Sequence, residues 1–232
     1  MEMAGFAMGF REVTPLAVSA GIFGFAFGVL AGEAGFPWWG VGLFSALTFA
    51  GSSQIVAVER LASGEAALGA VLAGAAVNLR YLAMMATLAP ALRGVPILKR
   101  LAAIHLTADG NWAMTLTRRR KDPAVGADYL LGSGVMMALM WVGGTAGGAA
   151  FGQLIPDPER FGLGFAFTAA FVAMAKGLYR GRPDLLPMGI AVAAGWGLTR
   201  AGMPGAYATV LAALACVAAH AALGRARGEA PA

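Results

Sequence analysis

Eight mostly apolar runs divide this chain, and they constrain its fold more than anything else in it. They cover residues 13–32, 38–61, 66–89, 101–117, 129–153, 161–177, 185–198 and 207–223. A membrane-crossing helix needs about 20 such residues. The 232 residues hold seven or eight helices of that kind with short loops between them, and no room is left for a soluble domain. The chain is 59% hydrophobic and only 12% charged, where a soluble domain has roughly a quarter charged residues. Its mean hydropathy is +0.70. These values exclude disorder, a coiled coil and an ordinary soluble enzyme. The reading is an all-α polytopic membrane protein, a single membrane domain over 1–232.

The net charge of +5 belongs to loops, as in Arg118-Arg119-Arg120-Lys121, and points to anionic lipid and not to nucleic acid. A lone Cys216 and two His leave no disulfide framework and no expected metal site. No Walker pattern, nucleophile–base pair or paired carboxylates occur, so neither a cofactor nor enzyme chemistry is expected. The first run is long for a cleaved signal peptide and reads as a retained span.

A shift of 120 residues aligns the chain with itself. Gly24, Gly28 and Gly32 fall on Gly144, Gly148 and Gly152, and Arg80 falls on Arg200. Gly42, Leu43, Ala46, Thr48, Ala50 and Arg60 fall on Gly162, Leu163, Ala166, Thr168, Ala170 and Arg180. This implies two three-helix repeats, 13–89 and 129–198, a connecting segment 90–128 with a short polar helix, and a final helix over 204–223. Basic residues flank 101–117 on both sides, and it carries His105, Asp109 and Asn111. Positive-inside bias puts both flanks in the cytoplasm. The segment is therefore expected to be re-entrant or interfacial, with about seven spans and inverted halves. Eight spans, with both halves entering in the same direction, is the alternative.

Polar groups within apolar runs mark the candidate site, because each is costly in lipid unless satisfied. Gly24 and Gly28 lie on one helix stripe. They read either as a packing face or as an unwound point whose N–H groups meet a carboxylate. Ser52, Ser53 and Gln54 form a polar patch in the second run. Asn78 and Arg80 lie in the third, and an Arg at that depth needs a cavity or a counter-charge. Asp109 is its candidate counter-ion. His105 and Asp109 are four apart, so on one helix they share a face. They suggest proton coupling, with a solvated amphipathic face as the plainer reading.

These elements together resemble the AzlC family of branched-chain amino-acid exporters. The likeness rests on Pro15-Leu16, Gly21-Ile22-Phe23-Gly24-Phe25-Ala26-Phe27-Gly28, Ala50-Gly51-Ser52-Ser53-Gln54, Asn78-Leu79-Arg80-Tyr81 and Leu88-Ala89-Pro90. It extends from Gly9 to about Gly197. Where the family pattern has an acidic pair, this chain has Asp109-Gly110, which leaves Asp109 the sole acid of its segment. The resemblance implies the large subunit of a proton-coupled secondary transporter in a bacterial-type cytoplasmic membrane. It also implies a small AzlD-like membrane subunit as partner, and valine, leucine, isoleucine or methionine as substrate. The expected substrate-binding residues are Gly24, Gly28, Ser52, Ser53, Gln54, Asn78 and Arg80, with His105 and Asp109 for the proton. The rival readings are an assembly subunit whose polar residues bind a partner helix, and a transporter of another small hydrophobic solute.

Overall fold

The computed structural model describes residues 2–154, 172, 176, 179, 181–203 and 205–226. Among them the regular structure is entirely helical. The helices are α1 (Glu2–Glu12), α2 (Thr14–Glu33), α3 (Trp38–Thr48), α4 (Gly51–Ala62), α5 (Ala67–Asn78), α6 (Arg80–Leu88), α7 (Ile97–His105), α8 (Asp109–Lys121), α9 (Ala127–Phe151), α10 (Arg182–Arg200) and α11 (Gly205–Ala226). Three stretches are long and apolar enough to cross a membrane: Thr14–Glu33, Ala67–Leu92 and Ala127–Phe151. At 1.5 Å per residue the shortest of them is about 30 Å long, the thickness of a hydrocarbon core.

Helices α2 and α9 form the scaffold, and glycine is the reason they can. Gly21 lies against Met140, Gly24 against Trp141 and Thr145, Gly28 against Thr145 and Gly148, and Gly32 against Ala149. From the other side, Gly144 lies on the Gly21 backbone and Gly148 on Phe25 and Gly28. A Cβ at Gly28 would collide with the Thr145 carbonyl, and one at Gly148 with the Phe25 carbonyl. Two helix backbones can touch this closely only where side chains are absent. The glycines that repeat at 120 residues thus pack against each other.

Residue numbers rise together along this seam, so α2 and α9 run parallel. Helix α1 continues the line: Gly5 lies by Asp128, and Gly9 by Tyr129 and Ser133. The end of the bundle that holds the starts of α1 and α9 is here called the near end. Inversion of the halves 13–89 and 129–198 would need α2 and α9 opposed, so the expectation of inverted halves is corrected. The pairings at 162–170 and the run 161–177 lie outside the described residues, apart from Val172 and Lys176. Helix α10 covers the seventh apolar run and contains Pro187, and α11 packs along α10 and touches α5.

The second apolar run is not one span. Helix α3 stops at Phe49, which takes the left-handed conformation (φ 41°, ψ 44°), and Ala50 is non-helical (φ −141°, ψ 82°). A left-handed non-glycine residue costs about 1–2 kcal/mol, so the fold must hold it in place. The clamp is Gln54, whose Nε2 donates to Ser45 Oγ at 3.0 Å. In a continuous helix these two positions would stand about 13 Å apart along the axis. Helices α3 and α4 therefore form a hairpin. It starts beside the far end of α2. It ends where α5 begins, and α5–α6 runs back to the near end, where Ala91 meets Gly126 and Arg119 donates to the Pro90 carbonyl at 3.5 Å.

The fourth run is a second hairpin, entering from the near end. Lys99 near the start of α7 pairs with Asp128 at 2.7 Å, and Arg118 near the end of α8 pairs with Glu12 at 3.4 Å. Between them the tip reaches Gly134, and Gly110 lies by Met137. The chain turns at Leu106-Thr107-Ala108. Fully buried Asn111 closes the turn, accepting from Ala108 N at 2.7 Å and donating to Leu106 O at 2.9 Å. Both flanks of 101–117 thus lie at one end of the bundle. Inversion exists one level down from the expected one: the hairpin-plus-span units 38–92 and 97–151 enter from opposite ends.

Candidate functional site

The two hairpin tips meet beside a break in the α5–α6 helix. At Leu79 the backbone tightens to i→i+3 bonds, Leu79 N to Ala76 O and Leu82 N to Leu79 O. Arg80 follows at once, at the middle of the Ala67–Leu92 helix. Its Nη2 donates to Ser52 Oγ at 2.6 Å and pairs with Asp109 Oδ2 at 3.1 Å. Ser52 stands in the first turn of α4 and Asp109 begins α8. One guanidinium therefore joins three polypeptide breaks. Arg80 does not snorkel to an interface but stays at mid-depth, with Asp109 as the expected counter-ion.

The electrostatics of this centre favour an added anion. Helices α4, α6 and α8 all begin here, and a helix start carries partial positive charge. With Arg80 they outweigh the one carboxylate of Asp109. Two buried polar atoms also lack any hydrogen-bond partner: Arg80 Nε, a donor, and Asn78 Oδ1, an acceptor. The guanidinium lies 5.6 Å from the centre of the Tyr81 ring. The centre is only partly covered, with the Arg80 and Asp109 side chains 32% and 28% exposed.

The other expected site residues lie elsewhere. Gly24 and Gly28 sit within unbroken α2 and face α9, so the unwound-point reading is corrected in favour of packing. Ser53 is buried against Gly74 of α5. Gln54 is fully buried, and besides holding Ser45 it accepts from Trp141 Nε1 at 3.0 Å. It shapes the first hairpin and offers no face to a ligand. His105 ends α7 and Asp109 starts α8, so the shared helix face does not form. Instead His105 Nε2 lies 2.9 Å from the Ala46 carbonyl, which the break after α3 deprives of a helical partner. The ring donates there and ties one tip to the other.

Sequence reasoning missed Ser45, Trp141 and Tyr81. Trp141 carried a signal, because an indole N–H within an apolar run needs an acceptor. It also missed the cluster at the near end, where Tyr129 donates to Glu12 at 2.8 Å beside Arg118. Among the described residues no group of His, Cys, Asp and Glu could hold a metal ion.

A family model described as "AzlC protein" matches residues 15–155. The chain is also similar to "Inner membrane protein YgaZ" of Escherichia coli (strain K12). The two are 29% identical over 224 residues, spanning 92% of this chain and 88% of that protein. No solved structure matches.

Proposed function

Because the chain belongs to the AzlC family, we propose that it is the large subunit of a secondary transporter in the inner membrane. It exports branched-chain amino acids, with methionine as a further substrate, and is driven by protons. A small AzlD-like membrane subunit completes the transporter. The near end, with Arg93, Lys99, Arg100 and Arg118 to Lys121, faces the cytoplasm by positive-inside bias.

One observation carries this reading: Arg80 bridges two oppositely entering hairpin tips at mid-depth. Broken helices with their starts directed at a central charge are the usual construction of a substrate site in secondary transporters. Moving either hairpin would open the centre to one end of the bundle, which is the requirement of alternating access. The substrate carboxylate binds at Arg80 and the helix starts. Asp109 exchanges its bond to Arg80 for a proton during the cycle.

The test is leucine uptake into inside-out membrane vesicles from cells expressing the full-length chain with its small partner. Uptake above that of vesicles lacking both, and dependent on a proton gradient, is the expected result. Asp109→Asn should retain substrate binding and lose the dependence on the gradient. An assembly role predicts the reverse pattern: Arg80→Ala would abolish co-purification of the partner, and leucine binding would be unchanged.

A further inference from the structure

The two partnerless atoms at the centre are of opposite kinds, and that difference says what fits there. Arg80 Nε is a charged donor and Asn78 Oδ1 is an acceptor, both buried, one on each side of Leu79 at the helix break. A buried polar atom without a partner is unfavourable, by about 1–3 kcal/mol for a neutral group. Asp109 contacts Arg80 through Nη2 and does not serve Nε. A guanidinium can present Nε and one Nη side by side to the two oxygens of a carboxylate.

We infer that this centre recognises both charges of an unmodified α-amino acid: Arg80 Nε takes the carboxylate, while Asn78 Oδ1 and Asp109 take the ammonium. The inference rests on the transporter reading above and specifies how that site selects its substrate. A lone carboxylate would serve Nε but leave Asn78 unserved and set two anions beside one cation. A lone amine would serve Asn78 but leave Nε unserved. A zwitterion serves both orphans and replaces one ion pair with two. Asn78 therefore selects for the amino group, and the apolar side chain plays no part in that selection.

The experiment compares three probes of one carbon skeleton as inhibitors of leucine uptake in the same inside-out vesicles. They are leucine itself, 4-methylpentanoate, which lacks the amino group, and 3-methylbutylamine, which lacks the carboxylate. Each truncated probe should be about ten- to a hundredfold weaker than leucine, the range expected for losing a hydrogen bond to a charged group. Asn78→Ala should weaken leucine about tenfold and leave 4-methylpentanoate unchanged, so the gap between them closes. Leucine uptake together with equal inhibition by 4-methylpentanoate overturns the inference and keeps the transporter. So does an Asn78→Ala variant that transports leucine with the gap intact. The comparison of probes on the unaltered chain decides the matter even where the variant fails to fold. Absence of leucine uptake in the unaltered vesicles overturns both readings.

Discussion

The α2–α9 seam and the Arg80 centre lie within the same bundle and are built on opposite rules. At the seam, glycines bring two backbones together so closely that no side chain fits between them. At the centre, three helices break, a charge sits at mid-depth and two buried polar atoms lack partners. The seam gains from close packing and excludes alternatives, because a packed core has few other arrangements. The centre carries unmet polar demand that a ligand can satisfy. One region is suited to staying fixed and the other to changing partners.

Substitutions can break that contrast at different strengths. The largest effect is expected at the seam. Gly28→Leu or Gly148→Leu should prevent assembly of the folded protein, since overpacking costs about 1–3 kcal/mol or more even where some movement relieves it. Gly143→Ala is the control, because nothing lies within 4 Å of a Cβ there. Size-exclusion profiles and melting curves in detergent separate the two. Next, Arg80→Ala should reduce leucine transport by about a hundredfold or more while the melting temperature moves little. The partly exposed pair with Asp109 contributes modestly to stability and the charge is required for function.

Gln54→Ala should be the converse. It leaves Ser45 and the Trp141 indole without partners, a loss of about 1–3 kcal/mol. The melting temperature should fall, and the apparent leucine affinity of the surviving folded fraction should stay unchanged. The smallest effect belongs to His105→Ala. Its one bond to the Ala46 carbonyl is exposed, so about 0.5–1.5 kcal/mol is at stake, and the proton dependence of transport should persist.

The sequence revealed the helices that cross the bundle more readily than those that turn back. Runs 13–32 and 129–153 correspond to α2 and α9 because continuous apolar content and a Gly stripe are local signals. Run 38–61 has the same local signal and is a hairpin. Its turn rests on Phe49 in a left-handed conformation, and residue type gives no hint of that. The reason lies in a tertiary bond between Gln54 and Ser45. The re-entrant nature of 101–117 was legible because charge on both flanks and polar residues within pointed the same way. The pairing of Arg80 with Asp109 was legible for a related reason: so few charges lie at depth that each narrows the choice of partner for the other. The spacing of His105 and Asp109 misled, since a four-residue offset means a shared face only where the helix is continuous. Helix α1 went unforeseen because Glu2–Glu12 is short and mixed in polarity.

Site-directed labelling tests the opposed hairpins most directly. Single cysteines replace Glu33, Ser63, Arg93 and Asp122 in a Cys216→Ser background, all at exposed positions flanking the hairpins. A membrane-impermeant maleimide is then applied to right-side-out and inside-out vesicles. Glu33→Cys and Ser63→Cys should label from one side only, and Arg93→Cys and Asp122→Cys from the other side only. Labelling of Glu33→Cys and Ser63→Cys from opposite sides would make 38–61 a full span and contradict the arrangement of two hairpins meeting at Arg80.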